Sequence, residues 1–210
     1  MSRKLFSLCY DGKLEEVRSA LNKGENVNSR DPKGKATALM LAMKHTAIVK
    51  LLLEQPFLGV NGRNEDGATA LHYAVADGNT EVLELLLSDR RLNCVDPVDN
   101  SGDTPLMMAV RMKKNTMVRV LLAQGGVEVN RKRRSCGRTI VHMAIACNNI
   151  KGLKLILADR RLKSALRTCD IQLCTPLILA VAEGQRAEAV RLLLEHPEVE
   201  VNQRKLKIKN

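Results

Sequence analysis

The chain has 210 residues, of which 45% are hydrophobic but only 2% aromatic, with no Trp. That is enough apolar material for a substantial core, yet not for one centred on large rings. The core has to be assembled from Leu, Val, Ala, Ile and Met in thin layers. The formal net charge of +11 bears on partners and solubility rather than on fold.

No apolar run approaches the ~20 residues of a membrane-spanning helix, and Met1 to Asp11 lacks the long apolar stretch of a secretory signal. Six cysteines are present: Cys9, Cys94, Cys136, Cys147, Cys169 and Cys174. They contain no Cys-x-x-Cys pair and do not resemble a disulfide framework. The expectation is reduced thiols in an intracellular protein, cytoplasmic or nuclear.

The first predicted helix pair is Leu5-Phe-Ser-Leu-Cys-Tyr-Asp-Gly12 with Leu14-Glu-Glu-Val17 and Leu21, closed by Val27-Asn28. From there a hexamer recurs: Thr37-Ala-Leu-Met-Leu-Ala42, Thr69-Ala-Leu-His-Tyr-Ala74, Thr104-Pro-Leu-Met-Met-Ala109, Thr139-Ile-Val-His-Met-Ala144 and Thr175-Pro-Leu-Ile-Leu-Ala180. The threonines stand 32, 35, 35 and 36 residues apart. Each hexamer is followed by a Leu-rich triplet, from Leu51-Leu-Leu53 to Leu192-Leu-Leu194, and several triplets by Val-Asn, at Val60-Asn61, Val129-Asn130 and Val201-Asn202.

Each feature has a local reason. The threonine hydroxyl accepts from an otherwise orphan N–H of the first helical turn. Pro105 and Pro176 follow at a position that needs no donor. Gly12, Gly78 and Gly184 fall between the paired helices, where a left-handed residue is expected. Lys113 and Asn148 hold the same place in two later units, at a cost on the order of 1 kcal/mol, less for Asn. The second unit, Ala42-Met-Lys-His-Thr-Ala-Ile-Val49, is two residues short there and is expected to be the least regular. His45, in that short turn, is expected to be exposed and inert, as is His196.

These residues resemble the ankyrin family, whose Thr-Pro-Leu-His-x-Ala signature recurs on a 33-residue period. The resemblance covers nearly all of residues 2–204. It implies an all-α solenoid of stacked helix pairs with projecting β-hairpin fingers. The repeats are approximately 2–33, 34–65, 66–100, 101–135, 136–171 and 172–204, with a basic tail at 205–210, all one domain. Repeats three, five and six carry extended fingers, such as Asp89-Arg-Arg-Leu-Asn-Cys-Val-Asp-Pro97. His72 and His142 fall on the signature histidine, and the resemblance gives them hydrogen bonds between neighbouring repeats. The sixth repeat has the apolar pattern of an internal one (Leu177, Leu179, Val181, Val190, Leu193). Either the tail Leu206-Lys-Ile-Lys209 covers it or the chain comes from a longer protein.

Nothing carries catalysis. Gly34-Lys35-Ala-Thr37 lacks the spacing of a phosphate loop. No nucleophile motif or recurring ligand set is present, so no enzyme activity, cofactor or metal is expected. Cys169 and Cys174 flank the last finger but read as small core-like residues. The methionines read as core fillers first and adaptable contacts second.

Charge is uneven along the chain: residues 68–102 sum to −4, 103–137 to +6 and 138–173 to +5. The densest cluster is Arg131-Lys-Arg-Arg134 with Arg138. It reads as a solvated loop, as a contact for an acidic protein partner, or as a nuclear signal or nucleic-acid contact. Scarce aromatics weaken the nucleic-acid reading. In ankyrin stacks, partners lie on the finger tips and the concave helix face. Carried over, that implies a non-enzymatic, monomeric binding scaffold using repeats three to five. The contacts would be Asp77, Arg111, Met112, Arg131, Lys132, Arg133, Arg134, Arg138 and Cys147. A basic module for nucleic acid or anionic membrane, or a structural spacer, is the alternative.

Overall fold

The computed structural model describes residues 4–162, 164–182 and 186–199. Among them there are twelve α-helices, a short 3-10 turn at Ser164–Leu166, one antiparallel bridge between Arg30 and Thr37, and no strands. Two compact units divide the chain, Met1–Pro105 and Leu106–Asn210. The first holds α1 (Leu5–Tyr10), α2 (Leu14–Asn22), α3 (Ala38–Leu41), α4 (Thr46–Leu53), α5 (Ala70–Asp77) and α6 (Thr80–Ser88). The second holds α7 (Pro105–Arg111, entered at the unit boundary), α8 (Asn115–Leu122), α9 (Ile140–Ala146), α10 (Ile150–Leu157), α11 (Pro176–Ala182) and α12 (Ala187–Leu194).

The hexamers open the odd-numbered helices in the expected way. Thr37 Oγ1 accepts from Met40 N at 3.2 Å, and Thr175 Oγ1 from Ile178 N at 3.3 Å. Pro105 and Pro176 sit at the first position of their helices. The second helix of each pair buries the middle residue of its triplet completely: Leu52, Leu86, Leu121, Ile156 and Leu193 are each 0% exposed. Burying such a side chain is worth ~1.5–3 kcal/mol. Short helices of this kind owe their stability to that packing, because helices under ~12 residues are marginal alone.

Left-handed residues end the first helix of several pairs. Gly12 has φ +73° and Gly78 +90°, while Lys113 (+57°) and Asn148 (+51°) take the same conformation without being glycine. Gly184 lies outside the described residues. In the second repeat α3 is only four residues long and leaves through a right-handed Ala42, which is the expected irregularity. His45 is a correction. It is half-buried, its ring lies against Gly12, and its Nε2 is 3.2 Å from the Tyr10 carbonyl. The shortened turn brings it over the preceding repeat instead of into solvent.

The fingers are tight turns, not paired strands. Each is closed by two short backbone bonds, such as Asp99 N to Asp103 O (2.9 Å) with Gly102 N to Asp99 O (3.0 Å), or Asp170 N to Cys174 O (3.0 Å) with Leu173 N to Asp170 O (3.0 Å). The residue two before each hexamer threonine is left-handed in all five fingers: Lys35, Gly67, Gly102, Gly137 and Leu173. The threonine turns the chain into a helix immediately afterwards, so too few residues remain to build a ladder. Adjacent tips within a unit are joined by Glu65 N to Gly34 O, Asn100 N to Asp66 O, and Ile171 N to Cys136 O.

Polar side chains tie repeat to repeat. The asparagine of Val-Asn reaches the following loop: Asn28 donates to Phe57 O, Asn61 to Arg91 O and Asn130 to Arg161 O, each within 2.8 Å. Valines 60 and 129 beside them are buried. Arg91 donates to Leu53 O and Gln55 O, both at 2.7 Å, at the C-terminus of α4. Arg161 does the same at the end of α8, to Leu122 O (2.5 Å) and Gln124 O (2.8 Å). Each arginine is held in place by the aspartate two residues before it, Asp89 or Asp159. In the sixth repeat Val181 and Leu194 are exposed, as its internal-type pattern implies. The tail proposed to cover it, and Val201-Asn202, lie outside the described residues.

Candidate interaction surface

Among the described residues no constellation points to chemistry. His72 and His142, the first suspects, are 1% and 0% exposed. The backbone N–H of Thr69 donates to His72 Nδ1 at 3.2 Å, which leaves the ring proton on Nε2, and that nitrogen donates to the Asp103 carbonyl at 3.1 Å. His142 repeats the arrangement with Thr139 N (3.2 Å) and Cys174 O (2.9 Å). Both rings are therefore neutral structural bridges, and burial holds their pKa below the ordinary value. Among the described residues no three metal-ligating side chains converge, and none of the six cysteines is paired. Cys9 is buried, which pushes its thiol up to about 12.

Eight of the nine residues expected at an interface lie in the second unit, and they form two groups at opposite ends of α9. One group is the basic finger, residues 131–138, turned by Gly137 and closed by Arg133 N to Arg138 O at 2.8 Å. Within it the cations are not equivalent. Arg131 pairs with Glu128 at 2.9 Å, and Arg138 Nε lies 3.3 Å from Asp170, whose side chain is 1% exposed. Burial alone would raise the Asp170 pKa. The amides of Cys174 and Gln172 and the Arg138 guanidinium outweigh that and hold it below the usual carboxylate range. Arg133 is half-buried, whereas Lys132 and Arg134 are exposed. The tip thus presents two outward cations on a base whose other arginines serve the fold.

The other group is at the inter-helix turns. Arg111 ends α7 and Met112 follows it; both are exposed, Met112 by 41%. Cys147 caps α9 and is half-buried. Asn149 donates to Val110 O at 3.0 Å, which sets these two turns side by side. α9 has seven residues, so about 10 Å of helix separates finger from turn.

Asp77 stands apart, in the first unit. It ends α5, lies 4.0 Å from the Lys44 ammonium, and lines a cleft of about 420 Å³ with Tyr10, Met40, Met43 and Tyr73. Sequence reading missed this cleft. The chain's only tyrosines, Tyr10 at the end of α1 and Tyr73 in the middle of α5, hold different repeat positions, so no periodicity in the sequence signals that they meet.

Comparison with known proteins agrees with the repeat geometry. A family model for ankyrin repeats in three copies matches residues 5–96, 56–133, 90–164 and 128–205. The chain is similar to the nuclear factor NF-kappa-B p105 subunit of Gallus gallus, 30% identical over 81% of this chain. It is also similar to protein glp-1 of Caenorhabditis elegans, 30% identical over 82% of this chain, and to Rabankyrin-5 of Mus musculus, 27% identical over 71%. It spans only 17%, 14% and 13% of the length of these three relatives. With overlapping family matches from residue 5 to 205, and with capped helix pairs, left-handed finger tips and inter-repeat histidine bridges all in register, this chain belongs to the ankyrin-repeat family.

Proposed function

We propose that this chain is a monomeric docking module that takes an acidic segment of a protein partner along α9, between the basic finger and the Arg111–Met112 turn. Ankyrin repeats generally mediate protein–protein interaction, and no described helix is long and apolar enough to cross a membrane. The carrying observation is the pair of exposed cations, Lys132 and Arg134, on a finger turned by Gly137 and anchored at its base by the Arg138–Asp170 pair. Fixed charges of one sign steer an oppositely charged partner and set its register. Met112 and Cys147 supply an adaptable apolar end to the same track. Asp77 and its cleft form a separate contact for another part of a partner.

The test is fluorescence anisotropy of a labelled glutamate-rich peptide against the full chain in low and high salt. Changing Lys132→Glu together with Arg134→Glu should weaken binding roughly tenfold, about 1.4 kcal/mol, without lowering thermal stability, since neither side chain supports the fold. Binding that ignores both salt and the double change sinks the proposal. Equal loss of a random DNA duplex or of anionic vesicles would favour a generic basic surface over a protein-docking one.

A further inference from the structure

We propose that Ser135 is a phosphorylation site, modified from ATP by a serine kinase that prefers basic sequence, and that its phosphate weakens the acidic-partner contact. The second half rests on the docking reading above; the first does not.

Three observations carry the site. Ser135 is exposed at the apex of the 134–136 turn, and no hydrogen bond of its hydroxyl is found among the described residues. It is preceded directly by Arg131-Lys-Arg-Arg134, a basic run of the kind by which kinases discriminate substrates through charge pattern. Of that run Lys132 and Arg134 are exposed and can enter an acidic cleft without dismantling the fold.

The finger can also present itself. A kinase takes its substrate as an extended segment, so the tip has to open. None of residues 131–138 is buried. The base of the finger is anchored by the Arg131–Glu128 and Arg138–Asp170 pairs, and its tip by Arg133 N to Arg138 O and Gly137 N to Arg133 O, both 2.8 Å, and by Ile171 N to Cys136 O at 3.1 Å. Segments with few bonds and no core residues open at low free-energy cost.

Other exposed hydroxyls fit less well. Ser101 is preceded by Asp99 and Asn100 instead of a basic run. Thr116 lies inside α8, and Ser164 opens a 3-10 turn whose preceding Arg161 is committed to the end of α8.

In the transfer, Ser135 Oγ forms a bond to the γ-phosphorus as the bond from that phosphorus to the departing ADP oxygen breaks. The hydroxyl proton passes to the kinase's catalytic carboxylate. The product carries about −1.5 to −2 charges at pH 7. It stands in the basic run with Lys132 and Arg134, the exposed cations that would otherwise face the acidic partner. The phosphate becomes an internal competitor for Lys132 and Arg134.

The experiment incubates the full chain with ATP and the catalytic subunit of cyclic-AMP-dependent protein kinase. Incorporation is read by intact mass and fragment mapping, and the glutamate-rich peptide is then titrated. One phosphoryl group on Ser135 is expected, absent in Ser135→Ala and slowed at least about tenfold in Lys132→Gln/Arg134→Gln. Peptide affinity should fall about tenfold at low salt and less at high salt, as screening weakens exposed charges. Phosphate on another residue, or unchanged incorporation in either variant, overturns the site. Modification of Ser135 with unchanged peptide affinity overturns the switch. If the unmodified chain does not bind the peptide at all, the docking reading and the switch fail together, while the mass data still decide the site.

Discussion

Arg160 and Arg161 are adjacent, and the structure gives them opposite consequences. Arg161 crosses to the preceding repeat and donates to Leu122 O and Gln124 O, where α8 has run out of N–H partners. Asp159 grips it from behind at 2.6 Å, and this hydrogen-bonded pair holds the carboxyl pKa below its usual range. Arg160 is exposed. A charge-assisted bond is worth ~1.5–3 kcal/mol when well buried. The Arg161 side chain is 35% exposed, so screening and access of water to the freed carbonyls reduce the two bonds to roughly 1 kcal/mol each. Arg161→Ala should therefore cost about 2 kcal/mol, and Arg160→Ala less than ~0.5 kcal/mol. Arg161→Lys should recover less than half of the loss, because an ammonium cannot serve two carbonyls and a carboxylate as a planar fork does. The assay is urea unfolding followed by far-ultraviolet circular dichroism, since the chain has no Trp to report by fluorescence. Equal losses for Arg160→Ala and Arg161→Ala would refute the reasoning. So would a negligible effect of Arg91→Ala, which has the same geometry at the end of α4.

Stability should fall as pH drops below about 6.5, the ordinary histidine value, because burial lowers the folded pKa of His72 and His142. In that window the unfolded chain binds more protons than the native one, so their contribution is complete above 6.5 and is lost as pH falls through the lowered values. A melting temperature that is flat between pH 7 and 5 would contradict this. Leu173→Gly relieves a left-handed leucine at φ +59° and should stabilise the chain by about 1 kcal/mol in the same urea assay. Gly12→Ala places a Cβ 2.4 Å from the His45 ring at φ +73° and should cost more than ~1 kcal/mol. Adding His45→Ala should return only the part due to the clash, a coupling read by a double-mutant cycle.

The helix pairs were legible because their causes are local. Thr37 caps the third residue of its own helix, and Pro105 suits its own first turn. The triplet Leu155-Ile156-Leu157 buries its middle member whatever the neighbour's identity, because helical spacing aims that position inward. Even the non-glycine turns at Lys113 and Asn148 could be placed by register. Lys35 and Leu173 could not, because nothing in a lysine or leucine signals a left-handed tip. The fingers resembled hairpins in length but lacked room for strand pairing once the threonine cap was formed.

The candidate surface was legible as composition and not as geometry. Arg131, Lys132, Arg133, Arg134 and Arg138 looked like one basic patch. Their division into structural and outward-facing cations depends on Glu128, on the buried Asp170 and on the turn at Gly137. Likewise Asp89-Arg-Arg91 read as part of an extended finger, whereas Arg91 closes a helix 36 to 38 residues earlier. By itself the sequence determined the hexamer register and the buried position of each Leu-rich triplet, since those are set within one helical turn. Tertiary structure decided which charges remain for a partner. A guanidinium's neighbour can lie a full repeat away, and no periodicity in the chain records that distance.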